Sequence, residues 1–179
     1  MAGLNCPVSP PAWEENGIPF TLLTGDDWAP YLEWAVNNAA ESLYLSIYMI
    51  SHHWRDPATK TLDLTKTLAD AALRGLQCRG IVDQPNVQGR KEGYNVKAAL
   101  MLQEAGWIMR KVPDRRTLHE KILIVDRRLC FVGSHNISKA SATSNYDTTI
   151  VIESTVLAEQ LRRQFWQRWR IAVPLAQKA

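Results

Sequence analysis

The residues best suited to chemistry lie in one segment, LHEKILIVDRRLCFVGSHN, which runs from Leu118 to Asn136. His119 and Lys121 are two residues apart, and in a β-strand such a pair projects from the same face of the sheet. A turn after this strand would bring the chain back as a hairpin, with Ser134 and Asn136 beside the start of the strand. An imidazole, an ammonium, a hydroxyl and a carboxamide would then share one small patch.

These four groups suit a phosphodiester. A lysine ammonium places positive charge on the non-bridging phosphate oxygens, and Ser and Asn side chains donate hydrogen bonds to them. Gly133 allows the backbone to approach a ligand closely. An imidazole, with an unperturbed pKa of about 6.5, can attack phosphorus or carry a proton near neutral pH. The sequence therefore predicts His119, Lys121, Ser134 and Asn136 as catalytic residues.

The spacing of these residues resembles the HxKxxxxDxxxxxxGSxN signature of the phospholipase D superfamily. Every specified position is matched, and the matching residues are His119, Lys121, Asp126, Gly133, Ser134 and Asn136. A chance match at six positions in a chain of this length has odds of about one in a million. The order of strands and helices is similar from about residue 18 to residue 169. A single motif in a short chain is most similar to the small bacterial endonucleases of that superfamily.

The resemblance implies a reaction that uses two histidines, one to attack phosphorus and one to protonate the leaving oxygen. Since this chain carries one motif, the resemblance implies a symmetric homodimer in which His119 and Lys121 of both subunits line a shared active site. The two imidazoles would titrate as a coupled pair. No cofactor and no metal ion are expected, because Lys121 and its symmetry mate supply the positive charge.

Two aspartates belong to this interpretation in different ways. Asp126 follows the first strand of the hairpin, about 23 Å of extended chain from His119, so we expect it to serve the turn rather than the chemistry. Asp147 lies where members of the family often place an acidic residue that hydrogen-bonds the catalytic histidine. The resemblance implies that role here, and the alternative is a surface aspartate on a strand.

Further residues are candidates for substrate binding. Arg115 and Arg116 precede the motif and are expected to hold flanking phosphates. His135 fills the variable position of the motif, and the sequence leaves substrate contact and packing equally open. It also leaves open whether four later arginines extend the phosphate footprint or only solvate a helix: Arg162, Arg163, Arg168 and Arg170. His52 and His53 are adjacent on an extended segment, point to opposite faces and do not predict a metal site.

Strands and helices must position these residues. Along the chain, apolar residues recur with a period of two in some segments and of 3.6 in others, which predicts strands alternating with helices. Strands are expected over residues 18–23, 42–50, 77–83, 107–112, 118–125, 129–133 and 146–152. Helices are expected after Asp26 or Asp27, around residues 64–72, over residues 94–105 and after Ser154, and residues 84–93 form a polar connection. This pattern predicts an α/β fold, a mixed β-sheet with helices on both faces. We expect an N-terminal extension (1–17), one catalytic domain (18–170) and a C-terminal tail (171–179).

Composition narrows the class of protein. The 179 residues are 46% hydrophobic and 22% charged, as in an ordinary folded domain. The longest apolar run is residues 43–50, too short to cross a membrane, so no stable membrane insertion is expected. Three cysteines do not make a disulfide framework. With no basic-then-apolar leader at the start, the expected location is cytoplasmic, or periplasmic if a leader is removed.

Charge favours an anionic partner. Residues 1–89 carry 5 Lys and Arg against 10 Asp and Glu, whereas residues 90–179 carry 16 against 8. A basic half of this kind suits nucleic acid or phospholipid head groups. The leading hypothesis is a metal-independent endonuclease that hydrolyses DNA or RNA through a phosphohistidine. The alternatives are a phospholipase D-type lipid phosphodiesterase or phosphatidyltransferase, and a non-catalytic nucleic-acid-binding module.

Overall fold

The computed structural model describes residues 12–51, 63–83, 94–113 and 116–175, which form one nine-stranded sheet and five α-helices. The strands are β1 (Ala12–Glu15), β2 (Ile18–Thr24), β3 (Ser42–Ile47), β4 (Gln77–Val82), β5 (Ile108–Lys111), β6 (Lys121–Val125), β7 (Leu129–Gly133), β8 (Thr148–Glu153) and β9 (Val173–Pro174). The helices are α1 (Trp28–Asn37), α2 (Leu64–Leu73), α3 (Tyr94–Glu104), α4 (Lys139–Thr143) and α5 (Thr155–Ile171). The sheet order is β1-β2-β8-β7-β6-β3-β4-β5-β9.

The sheet joins a parallel block to an antiparallel block at β3. On one side β3 runs parallel to β4, which runs parallel to β5. On the other side β3 pairs antiparallel with β6, and the antiparallel pairing continues through β7 and β8 to β2. The β3–β6 pairing ends at Ile47↔Lys121. The motif lysine therefore lies at one end of the junction between the two blocks.

Helices cover both faces of this sheet, which confirms the predicted fold class. Leu43 and Leu45 of β3 pack into the core beneath α1, α2 and α3. Tyr44, between them, faces the other way and packs with Ile124 and Phe165 beneath α5. All six residues of β3, its two serines included, are buried because helices cover both faces of the strand.

The last helix forms as predicted. The Ser154 hydroxyl accepts a hydrogen bond from the Leu157 N–H and so caps the first turn of α5. The apolar side of α5 packs against the sheet, with Ala158 and Phe165 buried. The hydroxyl of Ser138 caps the five-residue α4 in the same way. Helix α4 is too short for its hydrophobic periodicity to be visible in the sequence, and it was not among the predicted helices.

The sheet extends past both boundaries predicted for the catalytic domain. Strand β1 lies within the predicted N-terminal extension and pairs with β2 through a turn at Asn16 and Gly17, which have φ values of 52° and 77°. Asn-Gly is a common hairpin turn sequence because both central residues need positive φ. Strand β9 lies within the predicted C-terminal tail and pairs with β5. Both edges of the sheet thus come from segments expected to lie outside it.

The strand that carries the motif is shorter than predicted. Strand β6 begins at Lys121, so His119 precedes it instead of lying within it. The Leu118 N–H donates to the carboxylate of Asp83 (2.8 Å), which draws this backbone away from strand pairing. Strand β3 likewise ends at Ile47, three residues before the predicted end. The predicted connection over residues 84–93, His52, His53 and Arg115 lie outside the described residues. Within the described part of the chain, no helix combines the length and apolarity that crossing a bilayer requires.

Candidate active site

His119 and Lys121 meet at the side chain of Tyr48, just after β3. The His119 ring lies 4.8 Å from the Tyr48 ring, and Lys121 Nζ lies 4.9 Å from the centre of the same ring. Lys121 Nζ also donates to the His119 carbonyl oxygen (3.0 Å). The two motif side chains thus converge as predicted, although only Lys121 belongs to β6. Tyr48 was not singled out in the sequence, and its place after a buried strand is the signal that points to it.

Lys121 sits in a sheltered position while His119 is exposed. Lys121 is 9% exposed, and its ammonium lies over an aromatic face. Burial lowers the pKa of Lys121, and the nearby carboxylate of Asp147 acts in the opposite direction. A sheltered ammonium interacts more strongly with a phosphate than a solvated one, because the local dielectric is lower.

Asn136 is fixed by the segment that follows β3. Its Oδ1 accepts a hydrogen bond from the Met49 N–H (3.2 Å), and its own N–H donates to Ser141 Oγ (3.0 Å). Backbone hydrogen bonds of Ile137 with Met49 and Ser51 join the same two segments. Since Oδ1 accepts this hydrogen bond, the Nδ2 protons are the groups left for the predicted donation to phosphate.

Ser134 and Asp147 bind each other. Ser134 Oγ donates to Asp147 Oδ1 (2.8 Å) and accepts from the Thr148 N–H (3.0 Å). The serine hydroxyl thus donates to a carboxylate within this chain, and its donation to phosphate stays a prediction. Within this chain the Asp147 carboxylate accepts hydrogen bonds from Ser134 and Asn145 instead of from His119. The pairing of β7 with β8 places Asp147 beside Ser134.

The charge on Asp147 is stabilised by these contacts. Burial acts to raise the pKa of its carboxyl, but hydrogen bonds from three side chains and the proximity of His135 outweigh burial and lower the pKa. The three donors are Ser134, Ser141 and Asn145. The result is a fixed anion near Lys121, which favours the charged form of that lysine.

His135 packs inside the protein, which corrects its assignment to substrate binding. Its ring is 2% exposed and stacks on Trp28 at a centroid distance of 4.8 Å and an angle of 5°. Nδ1 lies 2.8 Å from Thr149 Oγ1, and Nε2 is buried without a hydrogen-bond partner among the described residues. Burial lowers the pKa of His135 to about 4, against an opposing effect of Asp147. Of the two readings left open by the sequence, packing is the one observed.

Gly133 is required by the packing of the sheet, and its assignment to substrate binding stays a prediction. A Cβ at this position would lie 2.3 Å from the Thr148 carbonyl oxygen and 2.4 Å from Thr149 Oγ1. Strand β8 therefore fills the space that a side chain would need. The glycine allows β7 and β8 to approach closely where Ser134 and Asp147 meet.

Asp126 braces the sheet at the end remote from the motif histidine. It lies in the β6–β7 turn with a φ of 49°, followed by Arg127 at 52°. Its carboxylate accepts hydrogen bonds from the backbone N–H groups of Ala40, Glu41 and Ser42, at 2.8–2.9 Å. The side chain thus secures the start of β3 as well as the turn, and it has no contact with the site.

Glu120, between the two motif residues, was not among the predicted site residues. It points to the α5 face, where its carboxylate accepts from Ser46 Oγ (2.6 Å), Gln164 Nε2 (2.8 Å) and Arg168 Nε (2.9 Å). The alternation of side chains around Lys121 places Glu120 on that face, and a buried carboxylate needs donors there. The arginines of the final helix were the feature of the sequence from which a partner for Glu120 could have been predicted. Glu120 ties the backbone between His119 and Lys121 to α5.

Of the two arginines predicted to hold flanking phosphates, Arg116 is described. It is exposed and lines the same groove as His119. Among the described residues, no three or more His, Cys, Asp or Glu side chains are grouped so that they could hold a metal ion.

Comparison with known proteins connects this geometry to one family. The profile of the family described as "Cardiolipin synthase, PLD-like domain" matches residues 32–169. A protein named phospholipase D from Rickettsia felis is 28% identical over 134 residues. That match covers 75% of this chain and 58% of the relative, so the chain spans little more than half of the relative's length.

Two solved structures have the same fold. The phospholipase D family member Nuc from Salmonella typhimurium superposes with a TM-score of 0.72 at 23% identity, and NucT from Helicobacter pylori with a TM-score of 0.71 at 17% identity. In each case the match covers 88% of this chain and 99% of the other. The fold described above is thus nearly the whole of both structures.

Proposed function

The chain belongs to the phospholipase D superfamily, and on this premise we propose that it is a metal-independent endonuclease that hydrolyses DNA or RNA in a homodimeric active site. The observation that carries the proposal is the convergence of His119 and Lys121 at Tyr48, with Asn136 held on the adjoining segment. These groups supply a nucleophile, a fixed positive charge and a hydrogen-bond donor. A phosphodiester needs all three.

The first step forms a covalent intermediate. The unprotonated ring of His119 attacks phosphorus, so that a P–N bond forms while the P–O bond to the leaving group breaks. The partner subunit's His119, in its protonated form, gives its ring proton to the departing oxygen. In the second step water attacks phosphorus and breaks the P–N bond, and its proton passes to the ring that had been the acid. Both histidines return to their starting states.

Positive charge for this reaction comes from lysine. Lys121 and its counterpart in the second subunit face the non-bridging oxygens, and the Nδ2 group of Asn136 donates to them. The sheltered position of Lys121 supports this role, since a shielded ammonium stabilises developing phosphate charge more strongly. Asp147 supports it by holding the ammonium in its charged form.

A nucleic acid substrate is proposed on charge and size. The basic second half of the chain supports a polyanionic partner. The extent of the fold, which matches two small family structures almost completely, supports a compact enzyme of this kind. A phospholipid diester is the second candidate, because the Rickettsia felis relative carries the name phospholipase D.

Cleavage in excess EDTA tests the proposal. Purified protein is incubated with DNA, with RNA and with phosphatidylcholine vesicles, and His119→Ala is the inactive control. We expect EDTA-resistant cleavage of DNA or RNA and its loss in the variant. Cleavage confined to vesicles would favour the lipid candidate, and cleavage that requires a divalent ion would refute the two-histidine mechanism. Binding to nucleic acid without cleavage would support the non-catalytic module.

The dimer and the intermediate are tested separately. Mass measurement in solution is expected to give twice the chain mass of 20.3 kDa. Denaturation at alkaline pH during turnover preserves a P–N bond, and is expected to trap a nucleotide fragment through its phosphate on a histidine of the wild type and on none in His119→Gln. A monomer that retains full activity would refute the shared site.

A further inference from the structure

A groove opens beside His119 on the side of the sheet that α5 covers. Its volume is about 560 Å³, within the range of about 300–1,000 Å³ usual for small-ligand sites. Its apolar lining includes Val112, Leu118 and Ile171, and its polar lining includes Arg116, His119, Arg168 and the carboxylate of Glu120. The groove therefore combines an apolar wall with two guanidinium groups and one carboxylate, next to the proposed nucleophile.

Arg168 is held in place within this groove. Its Nε and Nη2 donate to Glu120 Oε1, at 2.9 and 2.8 Å. Glu120 is itself fixed by Ser46 and Gln164 and is only 17% exposed at its side chain, whereas the Arg168 side chain is 38% exposed. One edge of the guanidinium is thus bound to the protein, and Nη1 is not used in that contact. A guanidinium positioned in this way loses less entropy on binding an anion than a free surface arginine.

We propose that this groove is a nucleotide subsite, in which Arg168 and Arg116 bind the phosphate next to the scissile one while Leu118 and Ile171 contact the attached nucleoside. The assignment rests on the proposed nuclease function and adds to it. Two cations favour a second phosphate, and the apolar wall suits the faces of a sugar and a base. Glu120 acts as the positioning residue for Arg168. On this basis a diester that lacks a second phosphate does not use the groove.

Arg168→Ala and Arg168→Gln test the subsite, with Arg170→Ala as the matched control on an exposed position of the same helix. For each protein kcat and KM are measured on a short oligonucleotide and on bis(p-nitrophenyl) phosphate, which has one phosphate. We expect both Arg168 variants to raise KM for the oligonucleotide about tenfold, with KM for the small diester changed less than twofold. Arg170→Ala is expected to stay within twofold of the wild type on both substrates.

Three results would overturn the assignment. If the Arg168 variants raised KM by the same factor for the oligonucleotide and for the small diester, the contact with Glu120 would support the fold only. An equal effect of the Arg168 and Arg170 variants on the oligonucleotide would mean diffuse electrostatics. Unchanged KM in both Arg168 variants would mean that the groove does not bind substrate. A wild type that cleaves the small diester but no oligonucleotide would refute the nuclease proposal itself. That failure shows in the wild type alone, whereas failure of the subsite shows only in the variants.

Discussion

Acidification is expected to destabilise the protein through one buried side chain, His135. The ring stacks on Trp28 and is 2% exposed, and burial lowers its pKa from 6.5 to about 4. The folded protein therefore favours the neutral form of the His135 ring. As pH falls below about 6.5 the unfolded chain takes up a proton at this position, while the folded chain does so only near pH 4. The stability linked to the neutral ring is therefore complete above pH 6.5 and is lost as the pH falls towards 4.

The size of this loss follows from the two pKa values. One pKa unit corresponds to about 1.4 kcal/mol, so the full difference is roughly 3 kcal/mol. By pH 5 about 2 kcal/mol of it is lost, which is a large share of the stability of an ordinary domain. With a urea m-value of about 2 kcal/mol/M, the unfolding midpoint moves by about 1 M.

Urea unfolding at pH 7 and pH 5 measures the effect in the wild type and in His135→Phe. Phenylalanine keeps a flat ring against Trp28 and removes the titrating group. Other groups also titrate in this range, so the quantity of interest is the difference between the two proteins. We expect the wild type to lose about 2 kcal/mol more than His135→Phe between the two pH values.

If His135→Phe loses as much stability as the wild type between pH 7 and pH 5, the reasoning from burial is wrong. A smaller loss of stability in His135→Phe is the expected result.

Three substitutions elsewhere test the supports of the site by urea unfolding. Asp126→Ala removes the acceptor of three backbone N–H groups and is expected to lower the free energy of unfolding by about 3 kcal/mol; a loss below about 1 kcal/mol would contradict this role. Gly133→Ala places a Cβ against the backbone of Thr148 and is expected to cost more than about 2 kcal/mol, so an unchanged midpoint would contradict the close approach. Ser154→Ala removes the cap of α5 and is expected to cost about 1 kcal/mol, with stability restored in Ser154→Thr; equal losses in both would exclude capping.

Local patterns predicted much of this structure because the deciding interactions are local. The β6–β7 hairpin follows from two apolar runs around a three-residue turn, and the cap of α5 follows from a serine before an apolar helical stripe. Spacing of two residues around Lys121 placed Glu120 on the α5 face and the lysine on the other. The arrangement of the motif side chains thus follows largely from the motif itself.

Distant contacts account for what the patterns missed. Asp83 accepts a hydrogen bond from the Leu118 N–H, 35 residues away in sequence, and this contact shortens β6. Hydrophobic periodicity does not indicate such a contact. Asp147 binds Ser134 because β7 and β8 pair in a particular register, so its partner depends on the sheet. The direction of His135 is set by Trp28, more than a hundred residues earlier. Strand β1 is the exception, since its Asn-Gly turn was readable in the sequence.

The position of β3 between the two blocks of the sheet has a consequence during synthesis. Its parallel neighbour β4 is complete once residue 82 has left the ribosome, whereas its antiparallel neighbour β6 begins at residue 121, about 40 residues later. Until then the nascent β3, with Leu43, Leu45 and Ile47 along one face, presents one edge without a partner. Unpaired apolar edges invite association with other chains. The edge that finally brings Lys121 into place is therefore open to association with other chains while the polypeptide emerges.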